Sequence, residues 1–492
     1  MAAVTPHLTI APFLQGYDPA TGRLTVHVTL APVGDPRAAL TDGFTAAVPP
    51  GPAFAGATIV LRAHASGDPS VVPTLADVPA LPEDLTLGMP AQQADLFDAL
   101  AARYQITKPQ GAPVRNPGLT LRKYLPESYR AAFAFVAPRT ELAVTDDSYE
   151  CARSCPPPTP PVVTPPDESI SWGEAFAALM RQPAAARAAG LIHTVEVDAA
   201  PFADGGFLFL SLAPGSDFAA QHAAAPEFVD VFATRVPRLV AAEPRAVFTP
   251  VLFPVAADAA TSAALGSFDD AFAEALRFDD GFTRIVHCNQ PTTADPNVEP
   301  TAAGSAPVTD YGLQIGWDDE DIAISLNRAL SPSEPGKPPL AVAPPGFSGW
   351  RVDARPLGAA NWSSLCRIRG DGIVLGVDID PFEDELAVEV QPSRLGEGMW
   401  LRPYHARWRA RSLVAPTTAE SLLAGRRDPA PVPYEAVGLG DVALRYGRAY
   451  EVRVRMRDVT GGGPGAGAKA FHAGEAGSAT WRMRRFVPLG QV

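Results

Sequence analysis

The sequence predicts a multidomain, β-rich protein, with mixed α+β first and middle regions and β-sandwich architecture toward the C-terminus. Three observations lead there. The chain has 492 residues, more than a single core of roughly 100–200 residues organises. It carries 53 prolines and 41 glycines, a load that interrupts helices and suits short strands joined by stiff loops. Its apolar residues alternate with polar ones in many short runs, the period of two that marks a half-buried strand.

Composition narrows the function classes. Hydrophobic residues make up 47%, which places the chain among globular proteins and not among disordered ones. The formal net charge of −14 argues against nucleic acid as a partner, because duplex binding needs a basic face. No apolar run approaches the roughly 18 residues of a spanning helix, so no membrane span is expected. The opening Met1–Pro6 has no Lys or Arg and no long apolar run follows, so the expectation is cytoplasmic synthesis without a signal peptide. Delivery outside the cell would then need an exported or released particle. Four cysteines are too few for a disulfide scaffold; Cys151 and Cys155 lie four apart, while Cys288 and Cys366 are isolated. Free thiols are the first reading and a Cys151–Cys155 bridge the second.

Along the chain, Gly22–Ala31 alternates strictly, with Leu24, Val26, Val28 and Leu30 on one face, and predicts a strand. Thr58–Ala65 predicts another. Ala91–Tyr104 places Leu96, Leu100 and Tyr104 at helical spacing. Cys155–Pro166 holds seven prolines in twelve residues, which favours polyproline II and predicts a stiff linker. Ser171 and Glu174 have capping-box spacing for a helix over Ala175–Arg187 that stops or kinks near Gln182, before Pro183. Gly190 suits its C-terminal stop. Ile192–Val197 and Gly206–Ala213 predict strands, and Ser216–Thr234 and Ser262–Phe278 predict helices. From about Val308 eight short strands follow, among them Trp350–Arg355, Gly372–Val377, Glu385–Val390, His405–Arg411, Tyr450–Arg457 and Thr480–Val487, with one helix signal at Thr418–Ala424. These elements divide the chain into residues 1–155, a strand-dominated mixed domain; 156–166, the linker; 167–305, an α+β domain; 306–395, a β-sandwich; and 396–492, a further sandwich.

Leu444-Arg-Tyr-Gly-Arg-Ala-Tyr450, followed by Glu-Val-Arg-Val-Arg, resembles the late strand of fibronectin type III domains. The resemblance implies a C-terminal fibronectin/immunoglobulin-like sandwich in which Tyr450 is a buried corner, its hydroxyl bonded to upstream backbone, with Leu444 six residues before it. It implies that Val452, Val454 and Met456 face the core and that Arg453, Arg455 and Arg457 face solvent. Gly461–Pro464 would be the hairpin loop, read as a flexible tip. The run from Trp350 to Arg355, with Trp362-Ser-Ser-Leu, resembles the middle strands of such a domain. Separately, Leu121–Arg130, Gly316–Ile322 and Leu444–Pro464 resemble segments of large uncharacterised bacterial proteins associated with phage-tail-like contractile injection systems. No catalytic residue comes with that likeness.

Signatures of catalysis are few. HExxH, GxSxG, GxGxxG and P-loop patterns are missing from the sequence. Asp318–Asp321 reads as a solvated turn. Asp378 and Asp380, at i and i+2 on one strand face, are the candidate Ca²⁺ ligands, and no other cofactor is expected. His287 and Cys288 are adjacent on an extended chain and point to opposite faces, so a catalytic Cys288 would need a distant base such as His193 or His222. Fourteen arginines between Arg402 and Arg485 make a locally basic region. Within it Arg407, Arg409, Arg453, Arg455 and Arg457 are the candidate residues for binding an acidic protein partner. The sequence thus favours a non-enzymatic structural or recognition protein within a larger assembly. The alternative is a glycan or peptide hydrolase with its site in Asp167–Pro300 and accessory sandwiches.

Overall fold

The computed structural model describes residues 7–33, 55–66, 78–91, 151–152, 175–176, 179–180, 182–213, 216, 229–239, 245–255, 280–283, 287–289, 314–316, 346–370, 373–374, 377–378, 381–388, 393–395, 398–401, 404–407, 412–415, 434–437, 444–469 and 478–484. Within them the protein is β-rich, with few helical residues and several sheets, one of them nearly closed.

The nearly closed sheet is built from β1 (His7–Asp18), β2 (Arg23–Val33), β3 (Thr58–Ser66), β4 (Ala80–Gly88), β5 (Ile192–Asp198), β6 (Gly206–Leu212) and β7 (Val229–Val236). Its strand order is β4-β3-β6-β7-β1-β2-β5. The short β8 (Arg245–Ala246) adds to β1, and β9 (Leu252–Pro254) adds to β7. Alternation builds it. Leu24, Val26, Val28 and Leu30 of β2 are all buried, together with Leu8 and Ile10, Ile59 and Leu61, Val195 and Val197, and Leu208 and Leu210. One core therefore lines the concave side of strands from both ends of the order. Arg23 of β2 reaches Glu83 of β4 at 3.0 Å, near the seam where the sheet comes closest to closing. Pro12, which has no N–H to give a ladder, falls where β1 changes neighbour between β7 and β8.

A short helix, α1 (Pro183–Ala188), precedes β5, with Pro183 in its first turn and Gln182 at its N-cap. The helical break expected at Gln182 is where this helix begins. Gly190, at φ 74°, ends it: its N–H bonds to the Arg187 carbonyl, and the Leu191 N–H bonds to the Ala186 carbonyl.

The second sheet runs β10-β16-β11-β12, from β10 (Phe282–Thr283), β11 (Phe347–Pro356), β12 (Ser363–Ser364) and β16 (Ala449–Asp458), with β17 (Ser478–Arg482) also on β16. A smaller sheet places β13 (Arg367–Gly370) between β14 (Phe382–Glu385) and β15 (Tyr434–Ala436). Further short ladders join Cys151–Ala152 to Gly398–Leu401, and Gln314–Gly316 to Tyr404–Arg407.

Several expectations are corrected. The proline-rich segment does not separate two folding units, because β2 pairs with β5 over Arg23–Thr29 and β3 pairs with β6 over Leu61–Ser66. Strands before and after it thus share one core. Nor do breaks at 305 and 395 hold, since β16 pairs with β10 on one side and β11 on the other. Of the helix expected over Ser216–Thr234, residues 217–228 lie outside the described residues, and Val229–Thr234 belongs to strand β7, where the β-branched run Val-Asp-Val-Phe-Ala-Thr-Arg-Val suits a pleated ladder. Gly372–Val377 is not one strand; Ile373–Val374 turns back onto Val377–Asp378. The expected helices at Ala91–Tyr104, Ser262–Phe278 and Thr418–Ala424, and the linker itself, lie outside the described residues.

A shared sheet predicts that its halves fail apart. Residues 1–155 and 167–492, expressed separately, should show no cooperative urea transition by far-UV circular dichroism, whereas the full chain should. A sharp transition from fragment 1–155 alone would contradict the strand order given above.

Candidate functional site: a buried arginine cluster under a glycine-rich loop

β11 and β16 pair in register, with Trp350, Val352 and Ala354 opposite Met456, Val454 and Val452. Directly opposite residues share a face, so this is the apolar side, and it is buried. The other side sets Arg351 opposite Arg455, Asp353 opposite Arg453 and Arg355 opposite Glu451. The alternation is as expected, but the exposure is not. Arg453, Arg455 and Arg457 are 6%, 0% and 2% exposed. The solvent-facing arginine stripe is therefore corrected: something covers it.

The cover is the chain that follows β16. Arg351 Nη2 donates to the Gly461 carbonyl at 2.6 Å. Arg455 Nη1 donates to the Pro464 carbonyl. Arg453 donates to the carbonyls of Ala466 at 2.5 Å and Ala468 at 2.9 Å. Gly461–Pro464 is thus no flexible tip. At Gly463, φ 133°, an added Cβ would strike the Met456 carbonyl, and at Gly462 it would strike the Gln15 side chain. Only glycine lets this backbone lie so close to the strand it covers.

Beneath the loop, Asp353 accepts from Arg453 Nε at 2.8 Å and from Arg455 Nε and Nη2 at 2.7 and 2.6 Å. Glu385, at the end of β14, accepts from both Nη groups of Arg455 at 2.9 and 3.0 Å. Its Oε2 lies 3.4 Å from Arg351 Nε. Arg453 also stacks over Trp362 at 4.5 Å and Phe282 at 5.0 Å. Burial lowers the pKa of Arg351 and of Arg453, against the pull of Glu385 and Asp353. For Arg455 the bonds to Asp353 and Glu385 outweigh burial and raise it. Burial alone would push the Glu385 carboxyl up, yet Arg455 and Arg351 bring it below its usual value. Glu385 is therefore held ionised, and its oxygens and those of Asp353 are occupied by guanidinium. Glu385 thus lacks the protonated, accessible state that glycoside hydrolysis needs of a general acid.

Asp458 closes the far end. It accepts from the Thr460 N–H at 2.8 Å, the Thr460 hydroxyl at 2.5 Å and the Gly462 N–H at 3.0 Å, and from Gln15 Nε2 of β1 at 2.8 Å. Gln15 Oε1 accepts the Gly463 N–H at 2.9 Å, and His27 Nδ1 of β2 sits 2.8 Å from the Thr460 hydroxyl. Val459 packs against Phe13, Phe232 and Leu252 on the outer face of the barrel-like sheet. The arginine cluster, the loop and the first sheet form one continuous junction.

Of the other candidate residues, Arg407 ends a strand opposite Gln314 and Asp378 lies opposite Ile373, while Arg409 and Asp380 lie outside the described residues. Tyr450 is buried, tilted against Trp481 with ring centroids 6.1 Å apart, and its hydroxyl accepts the Arg445 N–H at 2.6 Å. Leu444 is half-buried, and Trp350 is buried in a two-way backbone bridge to Val388. Burial pushes the Cys288 and Cys366 thiols up to about 12, which leaves them un-ionised and poor nucleophiles. His193 Nε2 donates to the Gly190 carbonyl at 3.0 Å. Asp353, Glu385, Arg351, Gln15 and Asp458 escaped sequence reasoning. The signal that could have found Asp353 and Arg351 was the run Arg351-Val-Asp353-Ala-Arg355, whose charges match in spacing those of Glu451–Arg455 and oppose them in sign where Asp353 meets Arg453 and Arg355 meets Glu451.

One nucleophile–base pair stands elsewhere. His64 of β3 stacks flat on Phe209, 4.7 Å between centroids. Its Nδ1 lies 2.9 Å from the Val78 carbonyl, which can only accept, so Nδ1 carries the proton and Nε2 accepts from the Ser211 hydroxyl at 2.8 Å. Comparison of the chain with family models, curated proteins and solved structures finds no match.

Two outcomes follow. Asp353→Ala strands two buried guanidinium groups and should cost about 3–5 kcal/mol in urea unfolding, whereas Asp84→Ala, which removes an exposed partner of Arg62, should change little; similar effects at both would show the cluster to be incidental. The second concerns pH. Burial is the main cause lowering the pKa of His27, His64 and His193; around His27 stand Asp458, Arg187, Asp384 and Arg351. Each folded value is below the unfolded one of about 6.5. Their contribution is complete above that pH and is lost as pH falls through the folded values, because the unfolded chain binds the extra protons. Thermal stability should fall on acidification from pH 6.5, and the fall should shrink in His27→Gln.

Proposed function

We propose that this chain is a non-enzymatic structural or recognition protein that works as part of a larger assembly. The observation that carries the reading is the junction: its charged groups are spent on each other and on loop carbonyls, inside the fold. Such a cluster holds geometry and leaves nothing free to turn over a substrate. The finer parts belong to the same proposal. The sheet carrying the Tyr450 corner is a fibronectin type III-like sandwich of a multidomain chain, and the assembly is phage-tail-like, loaded in the cytoplasm and then released. The buried hydroxyl bond of Tyr450 supports the first; the segment likeness of Leu121–Arg130, Gly316–Ile322 and Leu444–Pro464 motivates the second.

A hydrolase is the second reading, and the Ser211–His64 bond favours it, since a hydroxyl held 2.8 Å from an imidazole is the start of a nucleophile and base. Against it, Ser211 is a ladder residue near the end of β6, paired with Arg62, not on a sharp turn that presents the hydroxyl.

Gentle lysis of the native cells, followed by affinity purification of the tagged chain and mass measurement of the intact complex, separates the two. A discrete, stoichiometric complex that resists further purification is expected. A monomer whose Ser211 reacts with a fluorophosphonate, with labelling lost in Ser211→Ala, would replace the assembly reading with the hydrolase.

A further inference from the structure

The second sheet divides the late arginines into two populations, and the second population has a place. Two large apolar side chains are exposed among the described residues, Leu357 at 56% and Tyr446 at 48%. Both sit at the same end of that sheet. Leu357 follows β11 and donates its N–H to the Ala449 carbonyl at 3.0 Å, at the start of β16. Tyr446 lies in the turn before β16, whose Gly447 N–H and Arg448 carbonyl bond to Met483 beyond β17. Three strand ends therefore meet, and they bring four exposed arginines with them: Arg445, Arg448, Arg482 and Arg484. Glu451, nearby on β16, is taken by Arg355 at 2.6 Å, so it does not cancel that charge. The chain as a whole is strongly acidic, at −14.

We propose that this end, with Tyr446 and Leu357 at its centre and Arg445, Arg448, Arg482 and Arg484 around them, docks an acidic segment of a partner protein that carries an apolar anchor. The inference rests on the assembly reading above and adds to it the surface and the chemistry of the partner. Aromatic and arginine side chains are the residues that interfaces concentrate at their energetic centres. A cluster of positive charge on an acidic protein steers an acidic partner toward it, while the net negative charge disfavours other approaches. The same acidity disfavours nucleic acid, whose phosphates the rest of the surface would repel. A second copy is disfavoured in the same way, because two chains of −14 repel wherever else they approach.

The test uses the full chain and a fluorescein-labelled peptide of alternating Glu and Leu, read by fluorescence anisotropy at low and high salt. Binding should weaken steeply with salt, because exposed charges are screened beyond about 8 Å at physiological ionic strength. The double variant Arg445→Glu/Arg448→Glu should weaken it tenfold or more, and Tyr446→Ala should weaken it without changing the salt dependence. All three positions are exposed, so circular dichroism should be unchanged; Arg62→Glu on the other sheet serves as the charge control. No binding, or equal binding by the double variant and the control, overturns the proposal. So does tighter binding of a single-stranded DNA oligomer or of phosphatidylserine vesicles at these residues, or self-association in sedimentation that the double variant abolishes. If the native complex forms equally well with the double variant, the surface is wrong while the assembly reading stands. If the chain proves to be a monomeric hydrolase, the assembly reading itself has failed.

Discussion

Asp353 is the carboxylate on which the second sheet depends. It is fully buried, between two arginines on the neighbouring strand. A guanidinium removed from water costs several kcal/mol unless other groups replace that water. Arg455 shows the replacement carried to completion. Its five N–H donors meet five acceptor oxygens: two on Asp353, two on Glu385 and the Pro464 carbonyl. Arg453 has one bond to Asp353, two to loop carbonyls, and aromatic rings against its flat faces. The two side-chain acids cannot supply every acceptor, so backbone must. Where the loop lies closest, at Gly461, Gly462 and Gly463, there is no room for a side chain, which is why glycines stand there.

The same logic carries the constraint to the first sheet. The loop needs its N–H groups satisfied once its carbonyls are turned toward the arginines. Asp458 takes two of them, and Gln15 of β1 takes the next. Gln15 also donates back to Asp458, so one barrel-like strand reads the loop through both ends of an amide. Val459 adds an apolar contact beside Phe13. The position of the first sheet relative to the second is set by groups whose bonds have direction, and not by apolar burial alone.

Legibility in the sequence follows that division. Leu24 through Leu30 were readable because one face of β2 meets an apolar core, and alternation records this without regard to partner. Tyr450 was readable because its corner is local: the hydroxyl and the N–H that donates to it are five residues apart. The faces of β16 were readable, but their surroundings were not. Arg453, Arg455 and Arg457 alternating with apolar residues look the same whether water or a loop lies above them, and the acids that neutralise Arg455 are 102 and 70 residues away. The glycine run after β16 reads as a flexible tip when its neighbours are unknown. The shared sheet was hidden for the same reason: β2 meets β5 across more than 160 residues, and a proline-rich segment between them reads as a boundary. Val229–Val236 failed differently, since helix-forming alanines just before it suggested continuity that its β-branched residues do not support.

Burying six charged groups, Arg351, Asp353, Arg453, Arg455, Arg457 and Asp458, is a poor way to gain stability, because well-packed apolar side chains of the same size would do as well or better. What apolar side chains lack is direction. A valine in place of Arg455 would accept any loop conformation that excluded water, whereas Arg455 accepts one that puts a carboxylate, a second carboxylate and a carbonyl at fixed angles. The cluster therefore specifies which loop residue lies over which strand residue, and through Asp458 and Gln15 which face of the first sheet is met. A protein that presents a surface to a partner needs that fixity more than it needs surplus stability, since a loosely held end would have to be ordered again on docking. The arginines at positions 453–457 and those at 445–448 thus divide one task. The first set holds the sheet where it is, and the second occupies the edge that this placement leaves in water.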